Sequence, residues 1–195
     1  MTTFKGWKAM LAAGLVGALA FGAPQASAQD GEAAVLQALE DAIPGTLLHN
    51  PLEVMWTPSG NDIRSKVVDA AALTTGQAVQ VRNKKRQQNQ WDANVSIQIP
   101  QAIAKGDEVQ VLYWVRTAKA PKGADAAKVT LFLGRNAEPY DNILSHDFNP
   151  GSDWEMKQVT GTANADFPAG KVKLEYQIGK SIQTVEFGPV YVSKL

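Results

Sequence analysis

The sequence predicts an all-β protein, a jelly-roll β-sandwich with a short N-terminal helix. Three observations predict it. After Gly45, short runs rich in Val, Ile, Leu and aromatics recur at near-even spacing. Turn-forming clusters separate them: Thr74-Thr75-Gly76, Lys105-Gly106-Asp107, Pro121-Lys122-Gly123, Asn149-Pro150-Gly151 and Pro168-Ala169-Gly170. Beyond residue 45 there is no apolar period of helix length. Many short strands at regular spacing are the pattern of a sandwich or jelly roll.

Residues 1–28 read as a secretory signal peptide. Lys5 and Lys8 form a positive n-region, Met10 to Ala23 is an uncharged apolar run, and Ala26-Ser27-Ala28 is a small-residue cleavage site. The run is shorter than the ~20 residues a membrane span needs. Cleavage at about Ala28 implies a periplasmic or secreted protein with no membrane span left. Without Lys5 and Lys8, the 19 basic residues fall to 17 against 19 acidic ones, a net charge of −2. That charge argues against a polyanion-binding role. The chain has no Cys, so an exported fold must rest on its own core.

Residues 29–45 form the arm before the sandwich. DGEAAVLQALEDA, Asp30 to Ala42, predicts a helix that Pro44-Gly45 ends. Its apolar face, Val35, Leu36, Leu39 and Ile43, predicts packing on the main body. The domain proper is expected over 46–195. Its strands are predicted at Thr46–His49, Lys66–Leu73, Ala78–Arg82, Asp92–Ile99, Glu108–Thr117, Lys128–Gly134, Asn142–Asp147, Glu155–Ala163, Lys171–Ile178 and Thr184–Ser193.

Alternation sorts these strands into faces. In Asp92–Ile99, Ala93, Val95, Ile97 and Ile99 point to the core, and Asp92, Asn94, Ser96 and Gln98 point to solvent. In Lys128–Gly134, Val129, Leu131 and Leu133 go in and Lys128, Thr130 and Phe132 go out. In Lys171–Ile178, Val172, Leu174, Tyr176 and Ile178 go in, and Lys171, Lys173, Glu175 and Gln177 go out. If the three strands share a sheet, their wet faces form a floor of amides and hydroxyls. Sugars suit such a floor, with aromatic rings for their apolar faces. A merely solvated sheet face reads the same way. Trp91, before the polar row, and Tyr140, in the loop GRNAEPYDN, are the ring candidates.

The ordered set QWDANVSIQI (90–99), KGDEVQVLYWVRT (105–117), VTLFLGRNAEPYDNIL (129–144), WEMKQVTGTANAD (154–166) and KLEYQIG with TVEFGPVYV resembles the jelly-roll carbohydrate-binding modules of families 4, 9 and 22. The resemblance runs from about Gly76 to Leu195. It implies a galactose-binding-like sandwich whose concave face holds one β-glucan or xylan chain, with a poly- or oligosaccharide as partner beside other glycan-degrading proteins. It places cleft residues at Asn136, Tyr140, Gln177 and Gln98; with Trp91 and Asn94 from the alternation, these are the candidate ligand-binding residues. The family often holds a structural calcium by acidic residues near the C-terminal strand. Phe187-Gly188-Pro189-Val190 stands there instead, so no metal and no cofactor are expected.

The run NKKRQQNQ (83–90) reads as a loop. It carries too few stacking aromatics for a nucleic-acid surface. It is either simply solvated or a cleft-rim loop whose Lys and Arg meet an acidic sugar. Catalysis has little support. Ser145-His146-Asp147 cannot converge as a triad, because neighbours in a strand face opposite ways. No G-x-S-x-G elbow appears. Asp92 and Glu175 could sit together on the wet face as a glycosidase or lyase pair. The expected function is therefore a non-catalytic, exported glycan-binding protein. One alternative is an envelope protein-interaction module docking through the N-terminal helix and Trp56. Another is a jelly-roll glycan hydrolase or lyase.

Overall fold

The structure is a computed structural model of the chain, described here for residues 26–52 and 56–195. The predicted signal peptide lies, up to residue 25, outside the described residues. One helix, α1 (Ala26–Ala42), precedes eleven strands: β1 (Thr46–Leu47), β2 (Thr57–Ser59), β3 (Ile63–Asp69), β4 (Gln77–Asn83), β5 (Asn94–Ile99), β6 (Glu108–Lys119), β7 (Val129–Arg135), β8 (Asn142–Phe148), β9 (Glu155–Thr162), β10 (Val172–Gln177) and β11 (Gln183–Lys194).

The strands form two antiparallel sheets. One has the order β3-β4-β11-β6-β9, with β1 added beside β11; the other has the order β2-β5-β10-β7-β8. Their inner faces supply one core. Val95, Ile99, Leu131, Leu133, Val172, Leu174 and Tyr176 of the second sheet are buried against Val81, Val111, Tyr113, Val115, Val185, Phe187 and Val192 of the first. Each such aliphatic side chain contributes about 1.5–3 kcal/mol by leaving water. Aromatic rings fill the centre, with Tyr176 stacked on Phe187 at 4.1 Å and tilted against Tyr113 at 5.7 Å. Burial raises both tyrosine hydroxyls well above their ordinary pKa.

The inward set predicted for each of the three polar-faced strands is buried throughout. The differences lie elsewhere. Strand β2 falls in a stretch where no strand is predicted. It forms as the edge of its sheet, where Pro58 loses no ladder bond that a neighbour needs. Strand β3 starts three residues earlier than predicted and stops at Asp69. Ala70 to Leu73 turn instead, held by Ala70 N–H donating to Gly76 O at 2.8 Å, with Gly76 at φ +66°.

Trp56, expected to dock a partner with the helix in one alternative, is half-buried, its ring packed against the core 5.7 Å from Tyr176 and 6.4 Å from Phe187. The helix also departs from expectation. Ile43, just past its end, is buried, Leu36 and Leu39 are half-buried, and Val35 stays 43% exposed. Both inner sheet faces are already closed on each other, so the apolar stripe of α1 has little surface left to cover.

The segment Phe187-Gly188-Pro189-Val190 serves packing. Phe187 joins the core stack, and β11 bulges against β6 between Phe187 and Val190. A Cβ on Gly188 would lie 2.6 Å from Leu73 Cδ1 and 2.9 Å from Trp114 Cβ, so only glycine lets those two side chains approach the strand this closely.

Candidate functional site

Register across β5, β10, β7 and β8 sets the outer face of the second sheet residue by residue. One row runs Asn94, Gln177, Thr130, Asp147. The next runs Ser96, Glu175, Phe132, Ser145. The third runs Gln98, Lys173, Gly134, Asn142. The three strands therefore do share a sheet, and their polar positions do lie side by side. From Asn94 to Gln98 the floor is about 13 Å long.

Not all of this floor is wet. Gln98 is exposed and Ser96 half-buried, but Asn94 and Gln177 are 7% exposed and Glu175 only 1%. The expectation that Asn94, Glu175 and Gln177 face solvent is thus corrected. Strand β10 is the central strand, and the long side chains around it cover Glu175: Gln177 Nε2 donates to its Oε1 at 2.8 Å, and the Lys173 ammonium pairs with its Oε2. Asn94 Nδ2 donates to Trp91 O at 2.8 Å, leaving its Oδ1 for another partner. Gln98 Nε2 donates to Val172 O, and Asn136 Nδ2 reaches Gln98 Oε1 and Gly170 O, both at 3.3 Å. These bonds hold the amides at fixed orientations across β5 and β10.

The two predicted rings stand at opposite ends. Trp91, 59% exposed, lies in the 3-10 turn Gln90–Asp92 that leads into β5 at the Asn94 end. Tyr140, 54% exposed, lies in the loop after β7, at the Gln98 end. Its φ of +56° is rare for a residue with a side chain. The loop closes through Arg135 N–H to Asp141 O at 2.9 Å and through the Arg135–Asp141 ion pair at 3.2 Å.

A third ring belongs to the site and was missed as a ligand contact. Phe132 occupies the middle row, opposite Glu175, and is half-buried. A Cβ on Gly134 would meet Phe132 Cζ at 2.7 Å, so the ring lies along β7 over that glycine. Its signal in the sequence is an apolar residue at an outward position, two residues before a glycine on the same face.

The carboxylate pair considered for catalysis does not form. Asp92 Oδ2 accepts the Asn89 N–H at 2.8 Å and closes the 3-10 turn, while Glu175 is sealed beneath Lys173 and Gln177. Beyond the Thr130 end lies a cleft of about 670 Å³, lined among others by Arg86, Gln90, Lys128, Thr130, Asp147 and Lys180.

The two-sheet sandwich has the fold of solved carbohydrate-binding modules of the family 4 and 22 type. The chain is similar to a solved CBM4 module, with 19% identity, 72% of this chain and 94% of that one covered, and a TM-score of 0.54. It is also similar to the N-terminal cellulose-binding domain of Cellulomonas fimi β-1,4-glucanase C (19% identity, 72% and 88% covered, TM-score 0.53). The CBM22-1 xylan-binding domain of Paenibacillus barcinonensis Xyn10C matches at 12% identity, with 71% and 85% covered and a TM-score of 0.52. No protein-family model matches the chain, and no curated protein sequence matches it.

Proposed function

We propose that the protein is an exported, non-catalytic glycan-binding protein that holds a β-glucan, xylan or related chain along the outer face of β5, β10 and β7. The observation that carries this is the floor itself: amides fixed by their own hydrogen bonds, with exposed Trp91 and Tyr140 at its two ends and Phe132 between them. Free lone pairs on Asn94, Gln98 and Asn136 suit sugar hydroxyls, and the rings suit the apolar faces of pyranoses. Neighbours of the same fold named for cellulose and xylan binding support this ligand class. Export is supported by the n-region, apolar run and Ala26-Ser27-Ala28. Among the described residues no helix is long and apolar enough to cross a membrane. Each net hydrogen bond contributes only about 0.5–1.5 kcal/mol, so affinities from roughly micromolar to millimolar are expected.

Affinity electrophoresis against soluble glucans, xylans and uronans, repeated with Tyr140→Ala, tests the proposal. Retardation by at least one glycan, reduced in the variant, is expected. Migration unchanged in every gel contradicts it, and cleavage of any of the polymers points to an enzyme instead.

A further inference from the structure

We propose that the cleft beyond Thr130 is a subsite for a carboxylate-bearing sugar, so that the glycan held along the floor is an acidic one. This rests on the glycan-binding reading above. Three cations line the cleft: Arg86, Lys128 and Lys180. Among the described residues, none of the three meets a carboxylate within ion-pair distance, although the chain as a whole is formally neutral. The one acid in the lining, Asp147, already accepts the Thr130 hydroxyl at 2.5 Å. Thr130 and Asp147 also end the row that begins at Asn94, so floor and cleft are continuous.

The walls are built, and amides build them. Gln183 clamps Lys128 from both sides, accepting its N–H at 2.8 Å and donating to its carbonyl at 2.7 Å. Asn83 Nδ2 serves the carbonyls of Ile178, Gly179 and Ser181, fixing the turn that carries Lys180. Gln90 accepts the Lys180 N–H at 3.1 Å and donates to Gln177 O at 2.8 Å. Gln87 N–H donates to Gly179 O at 2.8 Å, which brings the loop carrying Arg86 onto the same turn. A Cβ on Gly179 would lie 2.4 Å from Asn89 O, so the close approach depends on that glycine. Asn83, Gln90 and Gln183, with the backbone of Gln87, thus hold the three segments that carry the cations around one space. A space of this size admits one or two sugar rings, and charge-assisted bonds to a carboxylate are the stronger kind.

The test uses the protein with a glucuronoxylan and with the same polymer after its carboxyl groups are reduced to alcohols. Calorimetry at low salt is expected to show at least about tenfold tighter binding of the acidic form, as one charge-assisted hydrogen bond implies. The gap is expected to narrow as salt rises. The double variant Arg86→Gln, Lys180→Gln is expected to bind both polymers equally, at the wild-type affinity for the reduced one. Arg86→Lys with Lys180→Arg is expected to keep the preference. Lys128→Gln is the second probe should the double variant fail to fold.

Equal wild-type affinity for the two polymers overturns the subsite and leaves the floor reading standing. Binding of neither polymer, nor of any neutral glycan, overturns both. A preference that survives both the double variant and Lys128→Gln overturns the assignment to this cleft. Equal binding of sulfated dextran or single-stranded DNA at the same salt overturns it as well, because that is general polyanion attraction.

Discussion

Tyr140 carries its ring from a backbone at φ +56°, a conformation glycine adopts without cost and tyrosine does not. A residue kept there for its side chain separates binding from stability. Tyr140→Gly is expected to weaken glycan binding about three- to tenfold, the range of one ring contact, while leaving stability within about 1 kcal/mol of wild type. Calorimetry and urea unfolding on the same preparation check the two arms. Phe132→Ala is expected to weaken binding similarly, because that ring lies at the middle of the floor. His49 is a different kind of residue. It is buried, accepts the Val192 N–H at Nε2 (3.3 Å), and is pushed down to about 4 by burial. The folded chain therefore takes up the His49 proton less readily than the unfolded chain. Its contribution is intact above about pH 6.5 and is lost as the pH falls from 6.5 through 4, by up to about 3 kcal/mol. Urea midpoints measured from pH 7 to pH 4 are expected to fall less steeply in His49→Gln than in wild type.

At the scale of elements, glycines mark where one part of the chain must touch another. Gly134 seats the Phe132 ring, and a Cβ there would also lie 2.4 Å from Asp141 O. Gly134→Ala is expected to displace the ring and the start of the Tyr140 loop together, lowering both affinity and melting temperature. Alternation made β5, β7 and β10 legible because their inner positions are uniformly apolar: Val95, Leu131 and Leu174 allow only one face inward. Strand β2 was not legible, because Thr57-Pro58-Ser59 has no apolar face and becomes a strand only by lying along β5. Burial on the outer face was not legible either. Glu175 and Gln177 have the parity of solvent-facing residues. Glu175 is engaged from within β10 itself, by the Lys173 ammonium and the Gln177 amide, and parity does not record side-chain reach.

For the molecule as a whole, the sandwich is self-sufficient and the helix is an appendage. Val35 remains 43% exposed, Leu36 and Leu39 are half-buried, and Ile43 is the first fully buried residue among the described side chains. A chain beginning at Ile43 is expected to match the stability of the longer one within about 1 kcal/mol, as read by thermal or urea unfolding. The Trp56 part of the predicted docking surface is reduced, because that half-buried ring packs against the core beside Tyr176 and Phe187. Trp91, Asn94, Gln98, Asn136, Tyr140 and Gln177, drawn from four separate segments, instead border or line one face, and that face is where a ligand must act if the protein binds sugar. Residue-resolved titration with a soluble xylo- or cello-oligosaccharide followed by amide NMR reads this directly. Saturable shifts in the side-chain amides of Asn94, Gln98 and Asn136 and in the Trp91 indole are predicted, with β3 and β4 unmoved. Saturable shifts confined to the opposite sheet or to α1, or no shift with any oligosaccharide, contradict it.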